Sequence, residues 1–247
     1  ILVALLLTGI LFFHYTRQNR IKSMQKQDEL RLESLRSQMN PHFVFNSLNS
    51  INYFISQNDK ISANRYIADF SRLVRVIFEN STKEYVPFTI ELGSIRNYLK
   101  LEHLRFGNKF DYTVEVEEGL ESSSLQIYPG LVQPFLENAI WHGVRGLENR
   151  KGHILVIFSG LNSGLLRCRI EDDGIGRRLS EMRRSNISGK TSRGIGIARE
   201  RLRIINNLHQ SSYEITITDK YPHQEETGTV VIVDIPVKTR ITADVTK

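Results

Sequence analysis

The chain has a single cysteine, Cys168, so no internal disulfide can form. It lies in an apolar alternation and is expected to pack in a core, which is compatible with a reducing compartment. Acidic residues are absent between His14 and Gln27, where Arg17, Arg20, Lys22 and Lys26 fall. That short stretch carries most of the formal +6 charge. A nucleic-acid face would need its positive charge within the folded part, so direct nucleic-acid binding is not expected. A basic run beside an apolar segment suits the cytoplasmic border of a membrane. Long hydrophobic runs are also missing. Ile1 to Phe13 is apolar apart from Thr8 and Gly9, and at about 1.5 Å per residue it covers roughly 20 Å of a ~30 Å bilayer core. With no initiator Met and no basic leader before it, residues 1–16 are read as the C-terminal end of a longer transmembrane helix rather than a signal peptide. The remainder would then lie on the cytoplasmic side of the inner membrane. Repeats and low-complexity tracts are absent, and 40% apolar content over 247 residues suffices for one large domain or two modest ones.

What is present reads as helices first and strands later. Residues 17–34 form a juxtamembrane linker. From Ile21 to Gln38 the chain is polar and free of Gly and Pro, with Leu32, Leu35 and Met39 at helical spacing. Residues 35–107 form a helical region. Its stripe Val44, Leu48, Ile51, Ile55 is followed, across the polar turn Ser56 to Lys60, by the stripe Ile67, Phe70, Val74, Ile77. The two predict a hairpin, and two hairpins pairing into a four-helix bundle predict a homodimer. A further helix is expected over Ile90 to Phe106. Residues 108–240 interleave strands (Phe110–Val116, His153–Phe158, Leu165–Ile170, Tyr213–Thr218, Thr229–Ile235) with helices around Glu137-Asn138 and from Ile195 to Leu208. A polar loop runs from Asp172 to Arg193, and residues 241–247 are a tail. The class is α+β: a helical hairpin followed by an α/β sandwich.

Pro41 is comfortable in the first turn of a helix, so the helix starts or kinks just before His42. At about 100° per residue, His42, Asn46, Asn49 and Tyr53 fall within ~60° of one another, opposite the Val44 stripe. Burying that stripe would turn His42 outward on a rigid support. An exposed neutral imidazole is a competent nucleophile near pH 7; an ordinary surface histidine would look the same on the wheel.

Downstream, Gln133 to Gly143 sets Glu137 and Asn138 mid-helix, where an acid and an amide are costly unless satisfied. A hydrated magnesium ion carrying phosphates would satisfy them; a polar helix face is the bland alternative. Ile170-Glu171-Asp172-Asp173-Gly174-Ile175-Gly176 places an acid at a strand end before two glycines, where it can accept from an adenine amino group. Arg193-Gly194-Ile195-Gly196 opens a helix whose amides can approach phosphate. Between them Arg177, Arg178, Arg183, Arg184 and Lys190 make a basic lid or a merely solvated loop. Each element alone is weak, and their order carries the reading.

With these segments in order, the chain resembles the LytS/YehU-like sensor histidine kinases, which carry a GHKL-type (Bergerat) ATP-binding domain. The likeness runs from about Leu35 to Pro236. It is most specific in Gln38-Met39-Asn40-Pro41-His42-Phe43-Val44-Phe45-Asn46-Ser47-Leu48-Asn49, and extends to Tyr98 through Phe106, Gln133 to Gly143, and Gly228-Thr229 with Pro236. The resemblance implies ATP with Mg2+, autophosphorylation on His42, magnesium held through Asn138 and adenine recognition by Asp172. Phosphate contacts are implied around Gly194 and Gly196, with further nucleotide contacts expected at His142, Gly174, Gly176, Lys190 and Arg193. The phosphoryl group would pass to an aspartate of a response regulator, often one with a LytTR-type DNA-binding domain. Two departures matter. Phe43 stands where many histidine kinases carry an acid after the phosphorylated histidine, leaving Glu137 as the candidate base. Pro134 stands where gyrase-type ATPases carry the glutamate that activates water, which disfavours hydrolysis. A clamp ATPase of the same fold, or a degenerate ATP-binding receptor, are the rival functions. Asn46, one turn beyond His42, is a candidate for orienting water in dephosphorylation of the partner.

Overall fold

The computed structural model describes residues 2–36, 41–121, 124–161, 164–185 and 193–239. Helix α1 (Leu2–Arg36) runs unbroken from the apolar end into the polar linker. Among the described residues no helix is long and apolar enough to cross a membrane. The apolar end therefore does not amount to a span, because charged residues begin at Arg17. Leu32 is buried, and Arg31 reaches Glu200 of a later helix at 2.9 Å.

The hairpin forms as expected from α2 (Pro41–Ser56) and α3 (Lys60–Ser81). Pro41 supplies the pre-set φ of a first helical residue. The turn places Asn58 at φ 57°, and the Asp59 carboxylate caps α3 by accepting from the Ser62 amide at 3.0 Å. The buried face of α2 differs from the expected one. Phe43, Asn46, Ser47 and Ser50 are buried, whereas Leu48 and Ile55 are exposed by 47% and 60%. The reason is aromatic packing: Phe43 meets Phe70 at 5.8 Å and Tyr98 at 5.4 Å, and Phe54 meets Tyr66 at 5.8 Å. Rings bury more area than the aliphatic stripe can, so they set the rotation of the helix.

The sheet begins before residue 108. Strand β1 (Val86–Pro87) leads directly into α4 (Phe88–Phe106), and then β2 (Phe110–Val116) and β3 (Leu125–Ile127). The short α5 (Gln133–Asn138) runs into a π-helical turn (Ala139–Gly143) and a 3-10 turn (Val144–Gly146). There follow β4 (Gly152–Leu161), β5 (Leu165–Asp172), α6 (Gly176–Ser185), α7 (Arg193–His209), β6 (Ile215–Asp219) and β7 (Thr229–Thr239). The sheet order is β1-β3-β7-β5-β4-β2, with β6 also on β7. Only β2 and β4 pair in parallel, in register from Phe110↔Gly152 to Val116↔Phe158. Alternation sorts the faces. Ile154, Val156, Phe158, Leu166, Cys168 and Ile170 point into one core with Phe88, Leu92, Phe135, Ile140, Ile204 and Ile205 of the helices. The opposite face carries charges such as Arg167, paired with Asp234 across the strands at 2.8 Å. A sheet with one covered and one wet face needs this pattern. Burial raises the Cys168 thiol well above its ordinary range, so it is an inert core residue.

Two local expectations are corrected. The segment after Asp172 is not a loop throughout, because α6 occupies Gly176–Ser185, with Ser180 buried. Arg177 there is engaged with Asp219 at 2.9 Å. Glu137 and Asn138 are not mid-helix but close the α-helical part of their segment, where the chain widens into the π turn.

Candidate nucleotide site

Three chain segments, distant in sequence, meet at the carboxyl end of β5. Asp172 ends that strand and is buried at 4% exposure. Its Oδ1 accepts from the Gly174 amide at 3.0 Å, and the Thr229 hydroxyl donates to the same carboxylate. Burial pushes its pKa up to about 7, with these hydrogen bonds and Lys220 opposing the shift. A carboxyl desolvated to this degree is suited to a ligand that returns a hydrogen bond, as an adenine amino group does.

Glycine makes the corner possible. A Cβ on Gly143 would stand 2.6 Å from Asp172 Oδ1, and one on Gly174 would run into the Gly143 backbone. The π turn therefore lies directly against the Asp-x-Gly-x-Gly turn, an approach open only to residues without a side chain. Ile175 donates to the Gly143 carbonyl at 3.4 Å and Gly228 to the Gly174 carbonyl at 3.1 Å. Gly176, at φ 78°, lies beside the Thr227 hydroxyl. That hydroxyl is buried and has no hydrogen-bond partner among the described residues, which fits a polar ligand at this corner. The outer wall is latched by Arg150, which holds Asp173 at 3.0 Å and Glu226 at 3.0 Å, while Asp173 accepts from the His153 amide at 2.7 Å.

On the other side, Asn138 donates through Nδ2 to the Pro134 carbonyl, which turns its Oδ1 to the opposite side of the amide. Glu137 accepts from Gln133 Nε2 at 3.2 Å. The start of α7 closes on this segment: a Cβ on Gly194 would touch Pro134 at 3.4 Å, while Gly196 faces open space. The amides at the start of α7 thus open beside the turn that carries Asn138. Among the described residues no group of three His, Cys, Asp or Glu side chains converges to hold a metal by itself. Asn138 Oδ1 fits magnesium as a single protein ligand, since this ion keeps its waters and takes most other oxygens from phosphate.

Of the residues expected from sequence, Asp172 and Gly174 lie against Gly143 at the end of the turn that carries Asn138 and the half-buried His142, and Gly194 lies against Pro134 at its start. Lys190 lies outside the described residues, as do the side chains of Arg193 and His42. The backbone of His42 is the second residue of α2. Asn46 is buried, contrary to its place on the expected outward face; Asn49 and Tyr53 are exposed. Sequence reading missed Thr227, to which no motif points, and the contact made by Gly143, whose signal was its place at the end of the Glu-Asn segment.

Residues 30–110 match the family described as Histidine kinase. The chain is 33% identical over 162 residues to "Sensor histidine kinase YpdA" of Escherichia coli K12, and 31% identical over 188 residues to "Sensor protein LytS" of Enterococcus faecalis. The first match covers 65% of this chain and the second 74%. Over these residues it is similar to the LytS-like sensor histidine kinases. It spans 27% and 31% of the length of those two relatives. "Sensor histidine kinase/phosphatase LytS" of Staphylococcus aureus MRSA252 is 30% identical over 179 residues, 70% of this chain and 29% of that one. Among solved structures, the kinase domain of the Erythrobacter litoralis EL346 blue-light activated histidine kinase is 18% identical. It covers 87% of this chain and 95% of its own at a TM-score of 0.42, too loose a likeness to speak for the site.

Proposed function

We propose that this chain is the catalytic part of a membrane-tethered two-component kinase that moves the γ-phosphoryl group of ATP to His42 and then to an aspartate of a response regulator. The observation that carries the reading is the convergence of the Asn138 turn, the buried Asp172 corner and the glycine start of α7 beside an orphaned Thr227 hydroxyl. This arrangement suits a purine at Asp172, with its phosphates running toward Gly194 and Asn138. Magnesium on Asn138 would offset phosphate charge. Each half-reaction is an in-line displacement. The imidazole nitrogen forms the new bond to phosphorus, the bond to the bridging oxygen breaks, ADP leaves and the ring loses its proton.

Pro134 disfavours water as acceptor, so transfer to a side chain wins over hydrolysis. Glu137 remains the candidate base, and Lys190, Arg193 and His142 are candidate phosphate contacts. The exposed apolar residues of the hairpin (Phe45, Leu48, Ile55 on α2; Ile61, Phe78 on α3) fit a homodimer. The acid-free basic stretch after the apolar end of α1 supports a membrane border with the catalytic part in the cytoplasm. The name kinase/phosphatase borne by one relative favours a second activity here, but Asn46 would first have to leave its buried position to orient water.

The test is labelling of the chain by radiolabelled ATP and magnesium. An acid-labile, alkali-stable label is expected, lost in His42→Gln and in Asn138→Asp. Normal labelling of His42→Gln would remove the assignment.

A further inference from the structure

The segment Tyr98 through Phe106, singled out in the sequence, is not used by the nucleotide site, yet it carries most of the buried polar atoms without a partner among the described residues. Among the described residues the Tyr98 hydroxyl, both Glu102 carboxylate oxygens and Arg105 Nη1 are buried without a hydrogen bond. All three side chains lie on α4. Glu102 is fully buried, and the nearest cation, Arg105 Nη1, stands 3.7 Å away, one turn along. Burial lifts its pKa to about 7, with Arg105 and Arg145 opposing the shift and Glu137 adding to it.

The cluster sits between the two working parts. Toward the hairpin, Tyr98 packs on Phe43, the residue after His42, while Tyr66 of α3 donates to Ser47 of α2 at 3.4 Å. Lys100 and Asn97 of α4 hold Asp69 of α3. Toward the nucleotide site, the Arg105 guanidinium stacks over Trp141 at 4.5 Å and over Phe106 at 4.9 Å. Trp141 lies in the π turn, three residues past Asn138. Arg145 also stacks on it at 4.5 Å, so two like charges share one indole.

We propose that Glu102 and Arg105 are positioning residues for phosphoryl transfer onto His42, acting through Trp141. The Glu102 charge offsets Arg105 and lets both guanidiniums remain on the ring. The ring in turn fixes the turn bearing Glu137 and Asn138 relative to the helix bearing His42. Arg105 has two partners within reach, the Glu102 carboxylate at 3.7 Å and the rings of Trp141 and Phe106. Removing the carboxylate leaves two cations repelling across Trp141, and the turn shifts against α2. This role rests on the kinase reading; the contact it uses does not.

Trp141 is the only tryptophan of the chain, so its emission reports the stack directly. In Glu102→Gln, Trp141 emission is expected to change and binding of a fluorescent ATP analogue to stay within about twofold, while the His42 labelling rate falls at least about tenfold, the size of effect a small misplacement of reacting groups produces. Arg105→Gln should act in the same direction, and Arg105→Lys, which keeps the charge but not the planar face, should fall between. Should Glu102→Gln fail to fold, the Arg105 pair decides. Labelling at the wild-type rate in Glu102→Gln and Arg105→Gln overturns the proposal, and so does loss of analogue binding in parallel with labelling, which marks a merely structural role. If the wild-type chain takes no label, the kinase reading fails instead. Unchanged emission in both variants would then end the coupling as well.

Discussion

The Asp172 corner and the helical hairpin are finished to different degrees within one chain. At the corner, backbone lies on backbone at Gly143 and Gly174, and the buried Thr227 hydroxyl has no partner among the described residues. The hairpin instead leaves Phe45, Tyr53, Ile55, Ile61 and Phe78 exposed by 58% or more. Apolar surface of this kind on a two-helix unit is unfinished core. The contrast agrees with the two completions proposed above, a nucleotide at the corner and a second copy on the hairpin.

Breaking each side separately should show that independence. The largest effect is expected from Gly174→Ala, whose methyl group has nowhere to go against Gly143. A loss of about 1–3 kcal/mol of stability should appear as a lowered unfolding midpoint together with lost nucleotide binding. Asp172→Asn keeps the shape but not the acceptor charge. ATP-analogue affinity should fall by about 10- to 100-fold, the worth of a hydrogen bond to a charged group, with a cooperative unfolding transition retained. Leu48→Glu combined with Ile55→Glu should convert dimer to monomer in sedimentation while analogue affinity holds within about twofold, since charges at a core of this kind cost association rather than the distant fold. A parallel loss of nucleotide binding would mean that the two regions are not independent.

The smallest effect concerns pH. Asp172 and Glu102 both titrate near 7 in the folded chain, above their ordinary values of 3.8 and 4.5. The native state therefore binds more protons than the unfolded one between about pH 4 and 7, and stability falls as pH rises through that window. Denaturant midpoints should drop from pH 5 to pH 8, and Glu102→Gln should flatten part of that slope. A rising midpoint would contradict the burial of both carboxyls.

Much of the architecture was legible in advance. The hairpin, the five principal strands and α7 follow from hydrophobic period and from local signals such as Pro41 and the polar turn Ser56 to Lys60, which act within a few residues. The order of Asn138, Asp172 and Gly194 was legible for the same reason, because each belongs to a local turn or helix start. The rotation of α2 was not. Two stripes competed for burial, and Phe43 and Phe54 won because Phe70, Tyr98 and Tyr66 happen to face them across the fold. Helix α6 was hidden because its basic residues read as a loop, while Ser180 and Leu179 are drawn in by the sheet domain.

Residue order alone settled the hairpin, five of the strands and α7, and where a histidine, an amide, an acid and paired glycines would fall, since these depend on neighbours along the chain. Only the tertiary structure decided that Gly143 touches Gly174, that the Thr227 hydroxyl lacks a partner among the described residues, and that Arg105 lies on Trp141. Such contacts join residues far apart in sequence, and their energies come from packing and desolvation, which exist only once the chain has closed on itself.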